Sequence, residues 1–334
     1  MKHRSFLVVL FSVIVFLASP QLFANQEEAS QKIITKQVQP SALTYLKKMK
    51  QAYKELNYEL LYLNTAQNQI EPKQLIHGVL DGQRIAYFCY LNGGIRESLQ
   101  FDGKISYYQQ GNQAYSLVTN RDHSVFANIA NFDFDSGNKN YEYLILGKSR
   151  IAGKRAIAIR MTSKDMYRYS YIIWLDLGSY LPLRLETINK SNLILEQTMV
   201  VSLNVTESIN PWIKRMSDQK APDVLHLPKT TVKDVAPWEL TWLPPGFKVI
   251  KDDQHKLMVH DTDPISYIML NDGIVSVSIY ISTKMTNLTK QQNIIQRGGT
   301  LLYTKQQENV EVNVIGEIPL ITAEKIASSI KAVK

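Results

Sequence analysis

The residue types that could do chemistry in this chain are sparse, and they do not fall into working spacings. Gly147-Lys148-Ser149 has the ending of a phosphate-binding loop, but the glycine required five positions earlier is Glu142, so the backbone cradle is missing. Asp133 and Asp135 with Gly137 suggest a calcium loop, yet the glycine falls one place early and the last ligand positions hold Lys139 and Asn140. His77, His123, His226, His255 and His260 do not pair at metal-ligand spacing, nor does any lie near a cysteine ligand. Each reads as a surface or hydrogen-bonded histidine. No serine sits in a G-x-S-x-G elbow. Cys89, the single cysteine, lies in the apolar run Ile85-Ala86-Tyr87-Phe88-Cys89-Tyr90 and reads as a small core hydrophobe. The expectation is a protein without metal, cofactor or catalysis, although carboxylates paired only by folding would not show.

Aromatic residues are the denser signal. Tyr87, Phe88, Tyr90, Tyr107, Tyr108, Tyr115, Tyr167, Tyr169, Tyr171 and Trp174 cluster in the first two-thirds of the chain. On a strand, Tyr169, Tyr171 and Ile173 share one face, while Ser170, Ile172 and Trp174 share the other. Both faces are therefore partly apolar, more than a one-sided sheet requires. One reading is a core on one face and aromatic cross-strand pairs on the other. The other is a half-open barrel whose concave face holds an acyl chain or a partner's apolar segment. On that second reading Tyr87, Phe88, Tyr107, Tyr169, Tyr171 and Trp174 are the candidate binding residues. Trp212, Trp238 and Trp242 are candidates for interdomain or partner contact.

The elements that would position these residues are mostly strands. Ser41 can cap a helix from Ala42 to about Leu56, with Leu43, Leu46, Met49 and Tyr53 as its apolar stripe. Period-two alternation then begins and persists. Tyr58–Asn64 and Leu75–Asn92 read as strands, and Asp102-Gly103 and Gly111-Asn112 as hairpin turns. Residues 156–161, Arg168–Asp176, Leu183–Ile188 and 199–205 continue a large antiparallel sheet. Pro211, Pro222, Pro228 and Pro237 break the pattern, so residues 210–237 read as a linker. A smaller unit follows over 238–334. It has strands at 275–281 and 310–314, and a last helix from Ala323 to about Ala332 capped by Thr322. The fold class is α+β, mostly antiparallel β, with a large domain over 25–209.

The first 24 residues read as a cleavable export signal. Lys2 and Arg4 precede a nearly continuous apolar run from Phe6 to Ala18, and Leu22-Phe23-Ala24 offers a small residue for cleavage. That run is about 13 residues, short of the roughly 20 a spanning helix needs. Cleavage removes two basic residues from a formal charge of +8. The charge is scattered rather than blocked, so a nucleic-acid partner is not expected, and attraction to an acidic lipid or protein segment is.

Several stretches resemble one family. Arg168-Tyr169-Ser170-Tyr171-Ile172-Ile173-Trp174-Leu175-Asp176 with Leu181-Pro182-Leu183-Arg184 is similar to the RseB/MucB family, as are Leu195-Glu196-Gln197 and Trp242-Leu243-Pro244-Pro245-Gly246-Phe247. Leu270-Asn271-Asp272-Gly273 and Val314-Ile315-Gly316-Glu317-Ile318-Pro319 extend the resemblance over about residues 41–332. It implies a periplasmic, non-enzymatic negative regulator of the sigma-E envelope-stress response. The implied fold is a large LolA/LolB-like unclosed barrel followed by a smaller domain. The implied partners are the periplasmic domain of the anti-sigma factor RseA/MucA, shielded from site-1 proteolysis, and lipopolysaccharide or another lipid that releases it. The alternative is a lipid or lipoprotein carrier with no signalling partner. Self-association stays open.

Overall fold

The computed structural model describes residues 40–66, 69–119, 124–137, 139–226, 238–255, 265–283, 292–307 and 310–332. The expected export signal, His123, His260 and the second half of the expected linker lie outside these residues. Helix α1 (Ala42–Glu55) begins where expected, because the Ser41 hydroxyl accepts from the Thr44 amide at 3.2 Å. Ala42, Leu46, Met49 and Tyr53 point into the core, whereas Leu43 is only half-buried.

Strands β1 (Asn57–Ala66), β2 (Gln69–Leu80), β3 (Gln83–Tyr90), β4 (Arg96–Phe101), β5 (Lys104–Gln109) and β6 (Tyr115–Val118) form a meander. Short helices α2 (Ala127–Asn131) and α3 (Phe134–Gly137) follow. Next come β7 (Tyr141–Ile151), β8 (Lys154–Ser163), β9 (Ser170–Asp176), β10 (Pro182–Ile188) and β11 (Ile194–Thr206). They make one eleven-stranded sheet, ordered β6-β5-β4-β3-β2-β1-β11-β10-β9-β8-β7. Its edges, β6 and β7, do not pair with each other, so the sheet is unclosed. Asp102-Gly103 turns β4 into β5 with both residues at positive φ (51° and 67°), the geometry that selects Asp-Gly. Asp81-Gly82 does the same inside the stretch Leu75–Asn92 and divides it into two strands.

The alternation over 199–205 is broken by a bulge. Leu61 pairs with Ser202 and Tyr62 with Val200, which leaves Val201 without an opposite residue. Val200 and Leu203 are therefore buried while Val201 is 48% exposed.

The expected linker starts as packed structure. Pro211–Ser217 is helix α4, capped by the Asn210 side chain, and its Ile213 is buried against Ile76, Ile85 and Leu99 of the first sheet. Beyond it, the Ser116 amide donates to Asp223 O and the Leu225 amide to Ser116 O, so this segment covers the β6 edge. Proline spacing signals where regular strands stop. It does not say whether the chain then leaves the surface.

The second sheet holds β13 (Lys248–His255), β14 (Ile265–Asn271), β15 (Ser276–Thr283), β16 (Gln292–Arg297), β17 (Thr300–Gln307) and β18 (Val310–Gly316), in the order β13-β14-β15-β18-β17-β16. Before it lies β12 (Trp238–Leu240). After it come α5 (Leu320–Ser329) and β19 (Ile330–Ala332), which pairs with β12. Val277, Ile279 and Ile281 bury one face with Val312 and Val314, as their spacing predicts. The last helix begins at Leu320 rather than Ala323. Thr322 is not its cap, because it lies inside the first turn and donates its hydroxyl to Tyr167 O at 2.9 Å. The helix also stops at Ser329, where Ile330–Ala332 gain strand partners in β12. One apolar core runs from α1 through Phe132, Tyr141 and Ile274 into the second sheet, so the two lobes share buried surface.

Candidate functional site

Two places gather the aromatic and charged side chains. The first is a cavity of about 470 Å³ on the α1 side of the first sheet, lined by Tyr62, Lys73, Phe88, Tyr90, Arg96, Glu97, Ser98, Tyr107, Gln109 and Val125. Alternation builds it: Phe88 and Tyr90 share one face of β3, and pairing sets Phe88 opposite Ser98, which lies opposite Tyr107. The Phe88 and Tyr90 rings meet edge to face at 5.4 Å, and Tyr107 stacks on Tyr115 at 5.2 Å. The Arg96 guanidinium sits 3.7 Å and the Lys73 ammonium 4.6 Å from the centre of the Tyr90 ring. Lys73 also pairs with Glu71 at 2.8 Å, and this bond holds the Glu71 carboxyl below its usual range. Apolar walls with two cations on one ring suit an amphiphile carrying a negative head.

The second place is the seam between the lobes, and Arg168 is its centre. Arg168 Nε donates to Asp165 at 3.1 Å, Nη1 to Asp272 Oδ2 at 3.0 Å, and Nη2 to the Pro245 carbonyl. The Arg168 and Asp272 side chains are 1% and 0% exposed. Burial pushes the Asp272 carboxyl up, against the pull of the Val275 and Ile274 amides and of Arg168. The guanidinium also lies 5.6 Å from the Tyr141 and Phe247 rings. Around it, the Tyr169 hydroxyl donates to Ile318 O at 3.0 Å, and Lys325 Nζ to the Tyr167 hydroxyl at 2.9 Å. Lys325 lies 4.3 Å over the Trp242 ring, which meets Tyr167 edge to face. Gly273 is at φ +101°, and a Cβ there would stand 3.0 Å from the Phe132 ring, so the lobes approach closely at this glycine.

Family models for the MucB/RseB N-terminal domain and the MucB/RseB C-terminal domain match residues 41–225 and 232–331. The chain belongs to the MucB/RseB family. It is 30% identical to the sigma-E factor regulatory protein RseB of Escherichia coli strain K12 over 294 residues, covering 87% of this chain and 91% of that one. It is 24% identical to the sigma factor AlgU regulatory protein MucB of Pseudomonas aeruginosa, covering 87% and 90%. The MucA/MucB complex structure of P. aeruginosa matches with a TM-score of 0.71 at 23% identity, over 88% of this chain and 99% of that chain. A crystal structure of MucB in complex with MucA(peri) matches with a TM-score of 0.69 over the same shares. Most of the segments that carry the MucB/RseB resemblance converge on the seam: 168–176, 242–247, 270–273 and 314–319 all supply contacts named above.

The aromatic candidates separate accordingly. Phe88 and Tyr107 line the cavity. Tyr87 faces the opposite way, buried under Trp212 of α4 with ring centroids 4.3 Å apart, because neighbouring strand residues alternate faces. Tyr169 and Tyr171 are buried, Tyr169 in the seam and Tyr171 in the shared core. Burial, with Glu317 nearby, raises the Tyr169 phenol to about 12. Trp174 is half-buried beneath the Arg184 guanidinium at 4.6 Å, away from the cavity lining. Trp238 pairs with Ala332, and of the three tryptophans proposed for interdomain contact Trp242 makes the seam contacts described above. Sequence reasoning missed Lys73, Arg96 and Tyr90 as a group, and missed Arg168 and Asp272 altogether. Their spacing carries no signal, since strand pairing and a lobe–lobe contact join them.

Proposed function

We propose that the chain is an exported, non-enzymatic regulator that binds the periplasmic part of a membrane-anchored anti-sigma factor of the RseA/MucA kind. Binding shields that partner from site-1 proteolysis and restrains the sigma factor. The observation carrying this reading is the family match across both lobes, to relatives named as sigma-factor regulators and to a MucB seen in complex with MucA(peri). Lipopolysaccharide or a related lipid releases the partner, and Phe88, Tyr107, Tyr90, Lys73 and Arg96 supply the apolar walls and cations for such a ligand. If lipid and partner prefer different arrangements of the lobes, each weakens the other by the same factor. Isothermal titration of the mature chain with the anti-sigma periplasmic segment, with and without lipopolysaccharide, tests this. Weaker partner binding with lipid is expected, and equal affinity in both conditions removes the lipid switch.

The cavity also favours a second reading, a lipid or lipoprotein carrier with no signalling partner. An envelope pull-down with the mature chain separates the two. Capture of the anti-sigma factor supports the regulator, and bound lipid without it supports the carrier.

A further inference from the structure

A groove of about 520 Å³ lies apart from the aromatic cavity, between the start of β11 and the β16–β17 hairpin, with Thr65, Ile194, Leu195, Glu196, Gln197, Gln296 and Gly298 around it. Two acidic side chains from different lobes meet beside it. A Cβ placed on Gly299 would stand 3.9 Å from both Glu196 Oε2 and Glu317 Cγ, so the glycine turn of the hairpin lies between them. Among the described residues no cation pairs with either carboxylate. Among the described residues Glu196 accepts from the Asn64 amide at 3.0 Å, and the nearby Arg297 is committed to Gln69 and Glu71 of β2. One wall of the groove ends in a free strand edge. β16 pairs only with β17, and its outer backbone groups have no strand partner among the described residues. Ile294 and Ile295 on that edge are 50% and 63% exposed, and Leu193 and Ile194 are exposed at the start of β11.

We infer that this groove receives an extended segment of the partner protein, with Lys or Arg between apolar residues, laid along β16 as an added strand. The chemistry favours this occupant over others. A free edge supplies main-chain hydrogen bonds to any extended peptide, and alternate side chains then read the walls. The walls here are Ile194, Leu195 and Glu196 of β11 facing Gln296 and Gly298 of the hairpin, with the Glu317 side chain beside them and the exposed Ile294 and Ile295 along the edge. On a chain of formal charge +8, such an acidic spot is where a basic segment is drawn rather than repelled. An anionic lipid head would be turned away by Glu196 and its acidic neighbour Glu317, which leaves lipid to the Lys73–Arg96 cavity. The groove is built from both lobes, so its occupant senses how they are docked.

This inference rests on the reading that the chain binds an anti-sigma periplasmic segment, and the test separates the two. Fluorescence anisotropy of that labelled segment is measured with the mature wild-type chain and with the double variants E196K/E317K and E196Q/E317Q. The charge reversal is expected to weaken binding at least tenfold and the amides roughly threefold, both with a shallower salt dependence, as removal of facing charges requires. E142Q, at an exposed carboxylate on the far edge strand β7, is expected to bind the segment like wild type. If E196K/E317K does not fold, the amide pair, which keeps shape and hydrogen-bonding capacity, decides the matter. Wild-type affinity and salt dependence in the folded double variants would overturn the groove assignment alone. No binding by the wild-type chain would overturn the proposed function and the groove assignment together.

Discussion

The cavity and the seam are both built from aromatic rings and guanidinium groups, yet they are constructed to opposite ends. In the cavity, Arg96 is exposed and Lys73 lies against a ring with one carboxylate, so charge can be offered to something arriving. In the seam, Arg168 is sealed from water and bonds to Asp165, Asp272 and a carbonyl, so its charge is already matched within the protein. A buried ion pair of this kind adds little net stability over an apolar contact, but breaking it leaves a buried charge uncompensated, so separating the lobes is costly. The difference separates binding chemistry from registration chemistry on one sheet. It also bears on how lobes could reorient. They share a continuous core, so reorientation must break the seam rather than merely swing on a linker.

The sharpest way to break the comparison is R168A. It leaves the Asp272 carboxylate buried without its cation, and a loss of about 3–5 kcal/mol in urea or thermal unfolding is expected. A loss below 1 kcal/mol would mean the seam is hydrated and open in solution. G273A follows, at about 1–3 kcal/mol, because a side chain there meets both a positive φ and the Phe132 ring. Its effect should appear as a second, earlier unfolding transition if the lobes separate first. Y169F removes one buried hydrogen bond across the seam and is expected to cost about 1 kcal/mol. At the small end stands R96A, with stability within about 0.5 kcal/mol of wild type, since the side chain is exposed. Binding of an anionic lipid probe should nonetheless fall severalfold, and an unchanged probe affinity would remove Arg96 from the cavity's function.

Much of the local structure could be read directly. Ser41 caps its helix, Asp102-Gly103 turns its hairpin, and Val277, Ile279 and Ile281 share a buried face, because each signal acts within a few residues of itself. The same reasoning went astray where a distant partner intervened. Thr322 has the look of a cap, but its hydroxyl is taken by Tyr167 of the other lobe. The prolines from 211 onward suggest a loose linker, but α4 finds an apolar seat on Ile76, Ile85 and Leu99. Val201 belongs to an alternating run, but the bulge opposite Leu61 and Tyr62 leaves it in solvent.

The candidate site divides along the same line. The sequence by itself determined that the aromatic residues lie on strands of an antiparallel sheet, that neighbouring rings face opposite ways, and that the chain resembles a regulator family. Only the tertiary structure decided that Phe88 and Tyr107 share a cavity with Lys73 and Arg96, while Tyr87 packs under Trp212 and Tyr169 closes the seam. The reason is range. Hydrophobic period and turn preference are properties of adjacent residues. Which face of a sheet is covered, and which arginine is sealed from water, depend on elements about a hundred positions away in the chain, as Arg168 and Asp272 are.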